Sequence, residues 1–192
     1  MKKAMFAMLA VAGTATTAFA DDLLLINLSV ANQITITSTS GNSAATISGT
    51  DDVGVYFENF FGTNSLGGAG ATLVAGGNLR PVGTTTDTSP ALFHFSSDPG
   101  LNFWSWTNDA TSSFTAGSQA FTGAATYNLT AAAYAAYTAI NPVGRTGNLY
   151  FPADDVTDLG TATLLGTYRV VPTPGAAAIM GLGLIAAGRR RR

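Results

Sequence analysis

Carboxylates, one imidazole and two closely spaced indoles are the side chains with chemistry to offer. Cysteine is absent and His94 is the only histidine. That removes thiol nucleophiles, thiolate-bound zinc, iron–sulfur clusters and any centre built from several imidazoles. A Ser-His-Asp triad stays arithmetically open. However, His94 lies within Leu92-Phe93-His94-Phe95, and no Gly-x-Ser-x-Gly elbow accompanies it. A structural strand histidine is the expectation. Glu58 is the only glutamate, so a two-carboxylate glycosidase would need an aspartate partner, and no pattern supplies one. Gly67-Gly68-Ala69-Gly70-Ala71-Thr72 contains Gly-x-Gly without a following lysine or a βαβ context, and it reads as a loop rather than a phosphate cradle. No catalytic residue and no cofactor are expected.

Two groups of acids and the indole pair remain. Asp51-Asp52, and Asp154-Asp155 with Asp158, sit in loop-like sequence where oxygen ligands could converge on calcium, though neither follows the EF-hand spacing. Solvated loop acids are the simpler expectation, with Asp154, Asp155 and Asp158 as the weak calcium candidates. Trp104 and Trp106 are two apart, so on a strand they share one face. Exposed, they would stack on sugar rings; buried, they are large core residues, and the nearby Phe93, Phe95 and Phe103 favour the core.

The elements that would position these groups are mainly strands. Leu23 to Val30 is an apolar run. Gln33 to Thr39 alternates Ile34 and Ile36 with threonines, the pattern of a half-buried strand. Further strand patterns cover Ala44 to Ser48, Val53 to Phe61, Ala71 to Ala75 and Asn78 to Val82. Ala91 to Phe95 and Leu101 to Thr107 read as an aromatic hairpin across Asp98-Pro99-Gly100. Gln119 to Leu129 and Ala162 to Val171 complete the set. Val53, Val55, Phe57 and Phe61 are expected on one face, with Tyr56, Glu58 and Phe60 on the other. One segment differs: Leu129, Ala133, Ala136, Tyr137 and Ile140 recur at helical spacing, Asn128 or Thr130 can cap them, and Asn141-Pro142 ends the run. The expected fold is an antiparallel β-sandwich, jelly-roll-like, with one short helix near 129–140.

Both ends of the chain read as addresses rather than fold. Met1-Lys2-Lys3, the apolar Ala4 to Ala12 and the small-x-small site Ala18-Phe19-Ala20 form a secretory signal peptide over 1–20, handled by the secretion translocon. At the other end stand Val171-Pro172-Thr173-Pro174, an apolar stretch of fourteen residues from Gly175 to Gly188, and Arg189, Arg190, Arg191 and Arg192. About 20 residues are needed to cross the hydrocarbon core, so 175–188 would touch a membrane only as a short or tilted helix, and transiently. The arginines would stay on the cytoplasmic side.

This tail resembles the sorting signal of PEP-CTERM proteins, the substrates of bacterial exosortases. Pro172-Thr173-Pro174 stands where that family usually has Pro-Glu-Pro, and the three-part layout of motif, apolar run and basic cluster is intact. The resemblance implies export, hand-over to an exosortase-type sorting enzyme, and residence at the cell surface or in extracellular matrix, often with exopolysaccharide. It covers only 171–192 and is silent on the 21–170 domain.

Charge agrees with export. Two of the nine basic residues lie in the leader and four in the tail, leaving Arg80, Arg145 and Arg169 against all eleven acids; the body's formal charge is therefore 3 − 11 = −8. Nucleic acid is not an expected partner, since phosphate binding needs clustered Lys and Arg. The sequence thus predicts an exported, non-enzymatic domain that serves as a surface or matrix structural component. A carbohydrate-binding module using Trp104 and Trp106 is the alternative.

Overall fold

The computed structural model describes residues 20–50, 53–61, 71–84, 90–94, 97–104 and 110–172, apart from the side chain of Trp104. In chain order the elements are β1 (Asp22–Asn27), β2 (Gln33–Ser38), β3 (Ile47–Thr50), β4 (Val55–Phe57), β5 (Ala71–Ala75), β6 (Arg80–Pro81), β7 (Ala91–Phe93), β8 (Leu101–Trp104), β9 (Thr111–Phe114), β10 (Phe121–Thr122), β11 (Ala124–Leu129), α1 (Ala131–Ile140), β12 (Thr146–Phe151) and β13 (Thr163–Val171). A single turn of 3₁₀ helix at Val156–Gly160 links the last two strands. The protein is mainly β with one short helix, as the sequence indicates.

The arrangement of the strands differs from a two-layer antiparallel sandwich. Nine of them form one mixed sheet in the order β5-β11-β2-β1-β13-β12-β4-β8-β7, and two two-stranded ribbons, β10-β6 and β3-β9, accompany it. Within the large sheet β1 and β13 run parallel, from Asp22 opposite Thr167 to Asn27 opposite Val171. The other large-sheet pairs are antiparallel. Neighbouring strands are rotated by roughly 20–25° on average, so a nine-stranded sheet curls round on itself. Here the curl brings β5 and β7 to each other, and the sheet is nearly closed into a barrel-like shape. The hydroxyl of Tyr127 on β11 reaches across to donate to the carbonyl of Pro90, just before β7.

Period-two patterning accounts for the best-defined strands. In β2, Ile34 and Ile36 are buried while Thr35 and Thr37 face outward, and Thr35 hydrogen-bonds Thr126 of β11 at 2.9 Å. In β4, however, Val55, Tyr56 and Phe57 are all buried, so the expected inner and outer faces of this strand are both covered. The single strand expected over 119–129 is broken at Gly123, between β10 and β11, whose φ of +87° is costly for any residue with a Cβ. Strands β9 and β12 lack a strand-like sequence pattern. Thr111-Ser112-Ser113-Phe114 offers little apolar contrast, and β12 turns apolar only at Leu149.

The helix follows its sequence signals closely. Thr130 caps it, accepting from the Ala133 N–H at 3.2 Å, and it ends at Asn141. Its buried positions, Ala133 and Tyr137, cover the barrel's aromatic core. Phe60 lies 5.2 Å from Tyr137 and 5.7 Å from Tyr168, and Phe57 lies 4.8 Å from Phe103, in the tilted and edge-on geometries that aromatic pairs prefer. The Asn141 side-chain amide donates to the carbonyls of Phe60 and Tyr137 at 2.8 and 2.7 Å, tying the helix end to the turn after β4. A second aromatic group, Phe114 against Phe121 and Phe151, joins the ribbons to the main sheet.

Gly100 is a position where side-chain packing leaves no room. A Cβ there would lie 2.0–2.2 Å from three atoms of the Tyr56 ring and hydroxyl. Gly100→Ala is expected to lower unfolding stability by about 1–3 kcal/mol, the range for overpacked cores. Gly160→Ala, where a Cβ meets nothing within 4 Å, should leave it nearly unchanged. Urea titrations of the two variants make the comparison; equal midpoints would contradict the packing.

Candidate functional site

The three acids named as weak calcium candidates lie close together. The 3₁₀ turn between β12 and β13 places oxygens of Asp154, Asp155 and Asp158 all within 4.8 Å of one another, each on a partly exposed residue. Asp155 caps the turn, accepting from both the N–H and the hydroxyl of Thr157 at 2.6 Å. Asp158 accepts from the Asp154 N–H at 3.0 Å. Asx residues favour such local bonds at turn starts, which explains why this sequence makes a tight turn here.

A fourth acid beneath the turn was not anticipated. Asp98 belongs to the Asp98-Pro99-Gly100 connection between β7 and β8, and it is buried. One of its oxygens accepts from the Tyr56 hydroxyl and the Gly100 N–H, both at 2.6 Å, and the other from the Val156 N–H at 2.8 Å. A buried carboxylate is tolerated when its oxygens are saturated by donors in this way. Asp98 therefore staples the β7–β8 hairpin to the acidic turn. Burial first, and then the Asp98 carboxylate it donates to, push the Tyr56 hydroxyl far above its ordinary range, so it remains a donor. The sequence placed Asp98 in a turn but held no sign that Tyr56 and Val156 would meet it.

Crowding has an electrostatic consequence. The Asp154 carboxyl is pushed up to about 6, by burial first and then by the hydrogen bond and negative charge of Asp158 and the charge of Asp155. Three carboxylates this close disfavour full ionisation, and a divalent cation with oxygen preference would relieve the repulsion. These three residues could hold such a cation, with Asp154 losing its proton on binding.

The other predicted site residues lie elsewhere. His94 is buried after β7, its Nδ1 2.8 Å from the Gly100 carbonyl and its ring 4.1 Å from that of Phe61. It thus contacts a backbone oxygen and a phenyl ring, with Nε2 unpartnered. Glu58 accepts from the Asn148 side-chain amide at 2.8 Å. Trp104 ends β8 with its backbone opposite Ala91. The Trp104 side chain, Trp106, Asp51-Asp52 and the glycines of 62–70 lie outside the described residues, as do Ala18, the leader to residue 19, and Thr173 to Arg192. Val171 belongs to the fold as well as to the tail motif: it is the last residue of β13 and pairs with Asn27.

The pH dependence follows from Asp154. Its folded value lies above the ordinary 3.8 of an aspartate, so the native state binds the proton more tightly than the unfolded chain does. That contribution to stability is fully present below 3.8 and is lost as pH rises to about 6. Asp154→Asn should remove this part of the decline, which thermal melts at pH 4 and pH 7 would reveal. If the turn holds calcium, millimolar calcium should raise the melting temperature of the parent protein at pH 7 more than at pH 5, and leave Asp158→Asn unmoved. An unchanged melting temperature marks the cluster as ordinary loop acids.

No family model, curated relative or solved structure matches the chain.

Proposed function

We propose that this chain is an exported structural protein of the cell surface or extracellular matrix, delivered by its leader and sorted through its tail. The observation that carries the reading is the three-part layout of 171–192: Pro-flanked motif, short apolar run and four terminal arginines. A sorting enzyme of the exosortase type reads such an address, and an anionic domain without a cluster of basic residues suits a polysaccharide-rich exterior. In this reading the domain acts by packing and surface display.

Two features of the fold support the division of labour. Expected cleavage after Ala20 would make Asp21 the first residue, and Asp21 is already part of the sheet: its carbonyl accepts from the Thr167 N–H at 2.9 Å and its carboxylate from the Asn42 N–H at 2.8 Å. Removal of 1–20 therefore leaves these bonds intact. At the far end β13 runs to Val171, where the motif begins, and Pro172 follows it. The folded body fills the interval between the two addresses.

Deleting Arg189 to Arg192 is expected to leave a precursor that is exported but mis-sorted, read by fractionating cells that make the variant. Normal amounts of mature protein at the surface would remove the arginines from the signal.

The tryptophans test the domain's own role. If they are core residues, Trp104→Ala or Trp106→Ala costs about 3–5 kcal/mol and lowers the melting temperature sharply, with no sugar affinity to lose. A Trp106→Ala domain that melts normally but no longer binds the producing cell's polysaccharide would make this a carbohydrate-binding module instead.

A further inference from the structure

An apolar concavity lies where the chain leaves the fold. Because β1 and β13 are parallel, the ends of both strands emerge side by side, Asn27 opposite Val171. The segment after α1 closes over them. The result is a groove of about 340 Å³ lined mainly by Leu28, Pro142, Val143, Val170, Val171 and Pro172, with Val143 65% exposed. Pro172 is both a wall of the groove and the last described residue, and the sequence continues from it for twenty residues.

We propose that this groove is the docking site of the chain's own apolar tail, seating the segment around Ala178-Ile179-Met180 before the tail is given up to a membrane or a sorting enzyme. Four considerations select this occupant over a foreign one. The first is composition: Gly175 to Ala187 contains no charged side chain, and its only large side chains are Ile179, Met180, Leu182, Leu184 and Ile185, so in water it has apolar area to cover and the groove has apolar area to offer. The second is reach. Six residues lie between Pro172 and Ile179, and the seven steps span up to roughly 23–25 Å when extended, ample for a return past Gly175, a residue free to adopt turn conformations.

The third is proximity. A segment tethered to the rim of its own site meets it at a millimolar-scale effective concentration, which a free partner seldom matches. The fourth is charge. The tail carries Arg189 to Arg192 and the body, residues 21–170, carries three basic against eleven acidic residues, so folding back brings opposite charges together. A docked tail would be shielded from aggregation in transit, and a bilayer, which solvates apolar residues far better than a shallow groove, would draw it out. Docking in water does not require that the tail be a sorting signal.

The absence of cysteine makes the contact directly measurable. In the chain from Asp21 to Arg192, the pair Val143→Cys with Ile179→Cys should form an intrachain disulfide under mild oxidation at least tenfold faster than the pair Val74→Cys with Ile179→Cys. Val74 is also exposed but lies on edge strand β5, outside the groove. Equal rates for the two pairs would overturn the proposal, and so would disulfide-linked dimers in place of the intrachain product, which would assign the groove to a second copy. A second measurement avoids cysteines: Val143→Asp should speed thermolysin cleavage within 178–185 about tenfold without changing the melting temperature of the body. An unchanged cleavage rate counts against docking. Both readouts use purified protein in buffer, so they stand or fall separately from the sorting of the precursor in cells.

Discussion

Everything in this fold hangs on the parallel pairing of its first and last strands at the middle of one large sheet. β1 contributes Leu23, Leu24 and Ile26 and β13 contributes Leu165, Tyr168 and Val170 to the core. Their pairing joins the β5-β11-β2-β1 part of the sheet to the β13-β12-β4-β8-β7 part. The pairing spans nearly the whole described chain, so its closure entropy is met late and must be offset by the burial it completes. Asp22 reinforces it at the surface, its carboxylate meeting Arg169 in an ion pair at 2.5 Å and the Thr167 hydroxyl at 2.8 Å. Arg169 is half exposed, so the ion pair sets register more than it adds stability.

From that pairing two contrasting regions follow at opposite ends of β13. At its start, the turn from β12 packs the aspartates over the buried Asp98 staple. At its finish, the chain exits beside Leu28 with an apolar groove at its root. The first end is polar and electrostatically crowded, the second apolar and uncharged.

Asp98 and His94 illustrate how one connection serves two purposes. The Asp98-Pro99-Gly100 turn supplies a carboxylate that saturates itself with Tyr56, Gly100 and Val156 donors. It also supplies the Gly100 carbonyl that engages His94. The lack of a side chain at Gly100 lets the Tyr56 ring lie against the backbone, which is what brings its hydroxyl to Asp98. Ring packing, hairpin geometry and carboxylate burial are therefore one interlocked unit.

The sequence by itself determined the class of structure, because it depends on local patterns. Alternating Ile and Thr in β2, the turn residues of the β7–β8 hairpin, and Thr130 with Asn141-Pro142 around α1 each act over a few residues and need no distant partner. The clustering of Asp154, Asp155 and Asp158 was legible for the same reason, since a single turn brings them together. Tertiary structure alone decided which strands pair. No local pattern says that β1 lies parallel to β13, so the expected sandwich gives way to a curled nine-stranded sheet. The same holds for β9 and β12, whose sequences lack strand character and whose strand state comes from the neighbours that complete their hydrogen bonds. It also holds for Asp98 and the exit groove, each assembled from segments scores of residues apart, by burial that only the closed sheet provides.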